Sequence, residues 1–262
     1  MTGDPDTNRD AEIAALHVCA FSGGIASAVM SKIVADAHPG QTVLLFHNTR
    51  TEPADNDRFR AEAAAYIGLQ ITDCSDGRDI WQVFEDHGFL GHALNTPCSD
   101  ELKQKPGRRY MTEDAPGGIK YLGYTAEETG RAQKMFARAK CPIAFPLIDA
   151  GLTKRDCWRR VTECWGIRPP EMYAWAEHAN CVPCVKGGLA YWGLVYLNAP
   201  EAWERAAKAE ERFGHQILKP GRHGTLREEL SHSIDAAKEH MAKRAAEEAL
   251  PSLFDAPCEC AL

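Results

Sequence analysis

No apolar run in this 262-residue chain approaches the roughly 18–20 residues that cross a bilayer as a helix, so a membrane-spanning helix is not expected. Positive charge is not in excess. Thirty Lys and Arg stand against 37 Asp and Glu, a net charge of −7, which argues against a general nucleic-acid coat and leaves room only for a local basic patch. No internal repeat and no low-complexity tract is present. Residues 1–12 lack the apolar stretch of a signal peptide or anchor and read as a disordered lead-in, so a cytoplasmic setting is expected. Cysteine, by contrast, is plentiful, with ten residues. In a reducing compartment thiols serve metal, cluster or redox chemistry more than disulfides. Hydrophobic residues make up 44% of the chain, enough for one sizeable core with a small appended lobe.

The apolar run at residues 16–21 reads as a buried strand, followed by Ser22-Gly23-Gly24 and an Ala-rich helical pattern to residue 37. Strand, glycine turn and helix start are the parts of a phosphate cradle, because close backbone N–H groups and the helix N-terminus both favour an anion. Residues 42–46, TVLLF, form a second strand without polar alternation, as suits a parallel strand covered on both faces. A helix over 54–66 and a third strand at 69–72 follow. Next come a helix over 79–87, a capped helix start at Cys98 with Ser99, a fourth strand at 119–123 and a helix after it. A fifth strand falls at 141–148, and Thr153 caps a helix to about Cys164. After Pro169-Pro170 the composition turns aromatic and glycine-rich, with one CxxC at Cys181 and Cys184. A last helix covers 226–250 and a flexible tail 251–262. The alternation predicts an α/β, doubly wound parallel sheet. It places a nucleotide-binding domain at 13–166 and a helical C-terminal region with the CxxC at 167–250.

The order of these segments resembles the PAPS reductase and PP-loop ATP pyrophosphatase superfamily. Ser22, Gly23, Gly24 and Ser27 match the motif SGGxDS, with Ala26 where the Asp would stand. His47, Thr51, Glu52 and Pro53 are similar to the loop HxxTxxExP. Glu127, Glu128 and Arg131 are similar to GxxxxEExxR. The run from Cys181 through Lys186-Gly187-Gly188 to Tyr191-Trp192 resembles the CVKGG segment of the phage-type subgroup. The matches extend over about residues 16–203. The resemblance implies strand order 3-2-1-4-5. It also implies an adenine nucleotide, ATP or an adenosine phosphosulfate, held at Ser22, Gly23, Gly24 and Ser27, with Asn48 and Gly123 beside adenine and ribose. The lost Asp weakens Mg-ATP hydrolysis and leaves phosphate binding by the main chain intact.

A CxxC offers a metal two sulfurs, and two more ligands must come from elsewhere. By resemblance these are Cys98, which lies 83 residues before Cys181, and Cys157. All-thiolate ligation suits an iron–sulfur cluster or structural zinc, and the resemblance favours a [4Fe–4S] cluster. Residues 101–160 carry thirteen Lys and Arg against seven Asp and Glu, a local +6. Lys103, Arg131 and Lys154 are candidates there for a substrate sulfate or phosphate, or for a tRNA or DNA backbone.

The resemblance therefore implies sulfur- or adenylyl-transfer chemistry beside a cluster, with a sulfur donor or thioredoxin-like reductant as partner. A second reading is a sulfonucleotide reductase using Cys260, whose Glu259-Cys260 echoes the ECGLH motif of those enzymes without its Gly or His. A third is a non-catalytic nucleotide or nucleic-acid binding module with structural zinc.

Overall fold

The computed structural model describes residues 15–179 and 181–248. Strand β1 (His17–Ala20) is the middle of the sheet because it is apolar on both faces, with Val18 and Cys19 fully buried. It leads into α1 (Ile25–Ala37), then β2 (Thr42–Phe46), α2 (Ala54–Ile67) and β3 (Ile71–Asp73). Helix α3 (Ile80–His87) starts at a capping box of Asp79 and Gln82. A continuous helical stretch follows, α4 (Pro97–Ser99), a π-helical turn Asp100–Gln104 and α5 (Lys105–Glu113). Strand β4 (Ile119–Tyr121), α6 (Thr129–Phe136), the short β5 (Ile143–Ala144), α7 (Pro146–Asp149) and α8 (Lys154–Arg159) complete the α/β part. Helices α9 (Leu189–Asn198), α10 (Pro200–Phe213) and α11 (Leu230–Glu248) form the C-terminal part.

All strand pairs are parallel, in the order β3-β2-β1-β4-β5. Register sets His17 of β1 opposite Thr42 on one side and Ile119 on the other. Both the fold class and the strand order expected from the sequence are present. Among the described residues no helix is long and apolar enough to cross a membrane.

Two expected elements differ. Helix α4 begins at Pro97, with no side-chain cap from Thr96. Proline at the first helical position has no N–H to satisfy, and the Ser99 hydroxyl instead accepts from Lys186 Nζ at 3.0 Å. The fifth strand is only two residues long, because Pro146 turns the chain into α7. Thr153 does cap α8, in a capping box with Asp156. Beyond Arg159 the helix widens to a π-helical turn, Arg160–Cys164.

Beside a small cluster of Val18, Leu45, Met111 and Ala115, two larger apolar clusters divide the chain. One lies between the sheet and α1, α2 and α8, with Phe21, Met30, Phe59, Leu147 and Val161 buried. The other joins Trp81, Phe84, Leu90 and Leu102 to Trp192, Trp203, Ile217 and Leu226. The second core thus draws on α3 and the π-helical turn as well as on the C-terminal helices, which holds the two parts of the chain together. Each such buried side chain contributes roughly 1.5–3 kcal/mol.

One carboxylate orders the loop between α10 and α11. Glu210 is 3% exposed. Its Oε1 accepts from Ile217 N at 2.7 Å and its Oε2 from Leu226 N at 2.6 Å. Replacing it removes the acceptor of two buried N–H groups. Glu210→Ala is expected to lower the unfolding free energy by about 2–4 kcal/mol, measured as a shift in the urea midpoint at unchanged m-value.

Candidate functional site

The glycine loop sits at the carboxyl ends of β1 and β4, the position where open α/β sheets take ligands. Gly23 has φ +81, a left-handed conformation that glycine adopts without strain. Gly24 is the N-cap residue of α1 and offers no side-chain cap, and the first turn of α1 carries no acidic residue. The first-turn N–H groups therefore have no acceptor within the helix. Of these, Ile25 N donates to the Tyr173 hydroxyl at 3.2 Å. Ser27 Oγ donates to Gly24 O at 2.8 Å, and Ser22 Oγ to Ser27 Oγ at 3.2 Å. Gly123, beyond β4, lies so close that an added Cβ would stand 3.0 Å from Ser27 N. The structure thus brings Ser22, Gly23, Gly24, Ser27 and Gly123 together. Asn48 is turned into its own loop, its Oδ1 accepting from Arg50 N at 2.8 Å.

Three of the four expected thiols share a second locus. Cys98 has its pKa pushed up to about 12, by burial first and then by the charges of Cys181 and Cys184, against Lys186 and Lys103. Cys184 is raised as well, chiefly by burial. Lys103 lies beside all three thiols, and its Nζ is 3.8 Å from Cys181 Sγ and 4.0 Å from Glu52 Oε1. Thr49 Oγ1 donates to Glu52 Oε1 at 2.7 Å and lies 2.9 Å from Cys181 Sγ. Val182 N donates to Thr51 O at 2.9 Å. Tyr191 clasps the CxxC turn, its hydroxyl accepting from Cys184 N at 2.7 Å and donating to Cys181 O at 3.1 Å.

Cys157 is not with them. It faces the sheet core beside Val161 and Ile167 and is fully buried. Burial pushes its thiol up to about 12, and its charged neighbours are Asp156, Arg160 and Glu127. The helical face that α8 turns inward places it in the other cluster. Cys98, Cys181 and Cys184 suit a soft metal as donors, but not in their spacing as they stand. Among the described residues no three His, Cys, Asp or Glu side chains are grouped to hold a metal ion. Cys260 lies outside the described residues.

The candidate anion-binding side chains separate. Lys103 belongs to the cysteines. Arg131 donates to Glu128 at 2.8 Å and lies over the Tyr124 ring, while Lys154 pairs with Glu177 at 3.8 Å. Arg131 and Lys154 meet at His178, whose pKa is lowered by burial first and then by Lys154.

Sequence reasoning missed two buried groups. Arg60 is 4% exposed and packs against Gly23. Its helical spacing from Asn56, Phe59 and Ala63 was the available signal, since all four fall on the buried face of α2. His47 was read as part of a loop motif. It stands between Lys120 and α5, and its buried Nε2 has no hydrogen-bond partner among the described residues. An added Cβ at Gly107 would lie 3.0 Å from that atom and 3.3 Å from Lys120 Nζ.

No protein-family model matches the chain, and no curated protein matches it. Among solved structures the chain is similar to an NH3-dependent NAD synthetase from Campylobacter jejuni subsp. jejuni NCTC 11168 in complex with the nitrate ion. The identity is 13% and the TM-score 0.43, over 93% of this chain and 92% of that chain. At that score the likeness carries no argument about this chain's site.

His47 has a pKa lowered from 6.5 to about 4, by burial first and then by Lys120 and Lys103. Above pH 6.5 the ring is neutral in both folded and unfolded chain, and its burial is tolerated. As pH falls from 6.5 toward 4, the unfolded chain binds a proton that the folded chain refuses, so stability declines across that window. Chemical unfolding between pH 7.5 and 4.5 is expected to show a shallower decline for His47→Gln than for the wild type.

Proposed function

We propose that this chain is an enzyme of the PP-loop kind that binds an adenine nucleotide at residues 22–27 and carries out sulfur or adenylyl transfer beside Cys98, Cys181 and Cys184. The observation that supports this most directly is that the two loci are adjoining. Ala179, two residues before Cys181, has its Cβ 4.0 Å from where a Gly24 Cβ would stand. Glu52 lies beside Cys181 and also within charge range of Arg60, which backs Gly23. A phosphate on the open N–H groups of α1 would therefore be held next to the cysteines.

The chain's own residues have separable tasks in this reading. The first-turn N–H groups and the Ser22 and Ser27 hydroxyls orient the phosphates. Gly123, without a side chain, lets the first turn of α1 pack against the end of β4. Lys103, 3.8 Å from Cys181 Sγ and within charge range of Cys98 and Cys184, stabilises negative charge that develops on sulfur. An iron–sulfur cluster would have to draw Cys98, Cys181 and Cys184 closer together than they stand here, and it would supply Lewis-acid or electron-transfer chemistry. The three soft donors support that choice over an oxygen-ligated metal.

Gly23 is unsuited to a test of nucleotide binding, because an added Cβ there would stand 2.7 Å from Arg60 Cγ in a left-handed backbone. Gly24 has an extended backbone, φ −95 and ψ 157, that any residue adopts. Gly24→Val is expected to weaken ATP binding about tenfold or more by crowding the approach to the helix N-terminus. Calorimetric titration reads the affinity and circular dichroism the fold. Wild-type protein that binds no adenine nucleotide would overturn the reading.

The cysteine assignment has its own measurement. Anaerobic purification followed by iron, zinc and sulfide analysis is expected to find iron and sulfide in the wild type and in Cys157→Ser. Both should be lost in Cys98→Ser, Cys181→Ser and Cys184→Ser. Zinc without sulfide would turn the site into a structural one. Thioredoxin-dependent sulfite release from an adenosine phosphosulfate, abolished by Cys260→Ser, would make the chain a sulfonucleotide reductase instead.

A further inference from the structure

The glycine loop has a charged side chain built against its underside. Arg60 projects from the buried face of α2 and is 4% exposed. Its guanidinium stacks on Phe46, the last residue of β2, with Cζ 3.9 Å from the ring centroid. Nη2 donates to Asp57. Nη1 is buried and has no hydrogen-bond partner among the described residues, and it would lie 3.0 Å from a Cβ added at Gly23. Glu52 and Asp73 act on Arg60 through charge without bonding Nη1.

We propose that Arg60 is a phosphate-binding residue, donating from Nη1 to the pyrophosphate arm of the nucleotide held by the glycine loop. The inference rests on the nucleotide reading above and goes beyond it by assigning the cation that meets the phosphate charge. Three features carry it. A buried guanidinium N–H without an acceptor is costly, and a phosphate oxygen at the loop would relieve that cost. The atom is beside Gly23, at the carboxyl ends of β1 and β2, where a ligand is expected. The first turn of α1 has no acidic side chain, so nothing in that turn opposes an anion. Stacking on Phe46 holds the guanidinium in place, so little side-chain freedom is lost when the anion arrives.

The test titrates the full chain with sodium pyrophosphate, ATP and adenosine in a calorimeter. Arg60→Gln is expected to lose about tenfold or more in affinity for pyrophosphate and ATP, with adenosine changed by less than about twofold. Arg60→Lys, which keeps the charge, should recover part of the loss. Arg60 is buried, so a second variant acts from the surface. Asp57, 72% exposed in its side chain, competes with the ligand for the same guanidinium. Asp57→Asn should raise pyrophosphate affinity severalfold while the fold is retained. Wild-type affinity for pyrophosphate in Asp57→Asn, or in a folded Arg60→Gln, would overturn the inference and leave the nucleotide reading standing. A wild type that binds neither ATP nor pyrophosphate would overturn both.

Discussion

A carboxylate with only 7% of its side chain exposed has to be paired, and the pairing of Glu52 determines how the functional loops meet. Its oxygens accept from Thr49, from the backbone at 3.3 Å and from the hydroxyl at 2.7 Å. Lys103 approaches from the π-helical turn at 4.0 Å, and Cys181 from the CxxC segment at 3.7 Å. Arg60 feels the same charge from α2. The stretch from Thr49 to Arg60 and two segments far from it in the chain thus converge on one buried anion. Such a network stabilises only when every partner is in place, so the loop after β2, the cysteine turn and the π-helical turn are mutually dependent.

The two cores make that convergence rigid. The sheet core fixes β1, α1 and the glycine loop, while the aromatic core fixes α9 and the residues just before it. Tyr191 belongs to the fringe of the second core and holds the CxxC turn through its hydroxyl. Tyr173 belongs to the fringe of the first and reaches the N-terminus of α1. The C-terminal region therefore touches the glycine loop and the cysteines within a few residues of chain. In the proposed reading, a phosphate at the glycine loop and the Cys181 sulfur would be held in fixed relative positions, which is the condition for one to act on the other.

Much of the sheet was legible in the chain itself. Uninterrupted apolar runs at residues 17–20 and 42–46 announce strands covered on both faces, and Asp79 and Thr153 announce helix starts through their own side chains. The weaker readings failed where a local signal had a tertiary competitor. Ser99 has the chemistry of a cap but is taken by Lys186. The apolar stretch before Pro146 suggested a longer strand than the two residues that pair, because proline ends the ladder.

What the sequence determined by itself is the order of strands and helices, the glycine turn and the CxxC, since each depends on neighbours a few residues away. Only the tertiary structure decided which cysteines belong together. Cys157 and Cys98 are equally plausible partners for the CxxC by type, but α8 turns Cys157 into the sheet core while α4 carries Cys98 to the aromatic core. It also decided that Arg60 lies under the glycine loop and that Lys103 belongs to the cysteines rather than to an open basic face. Those placements come from helix packing over separations of tens of residues, where burial and charge pairing settle what local spacing leaves open.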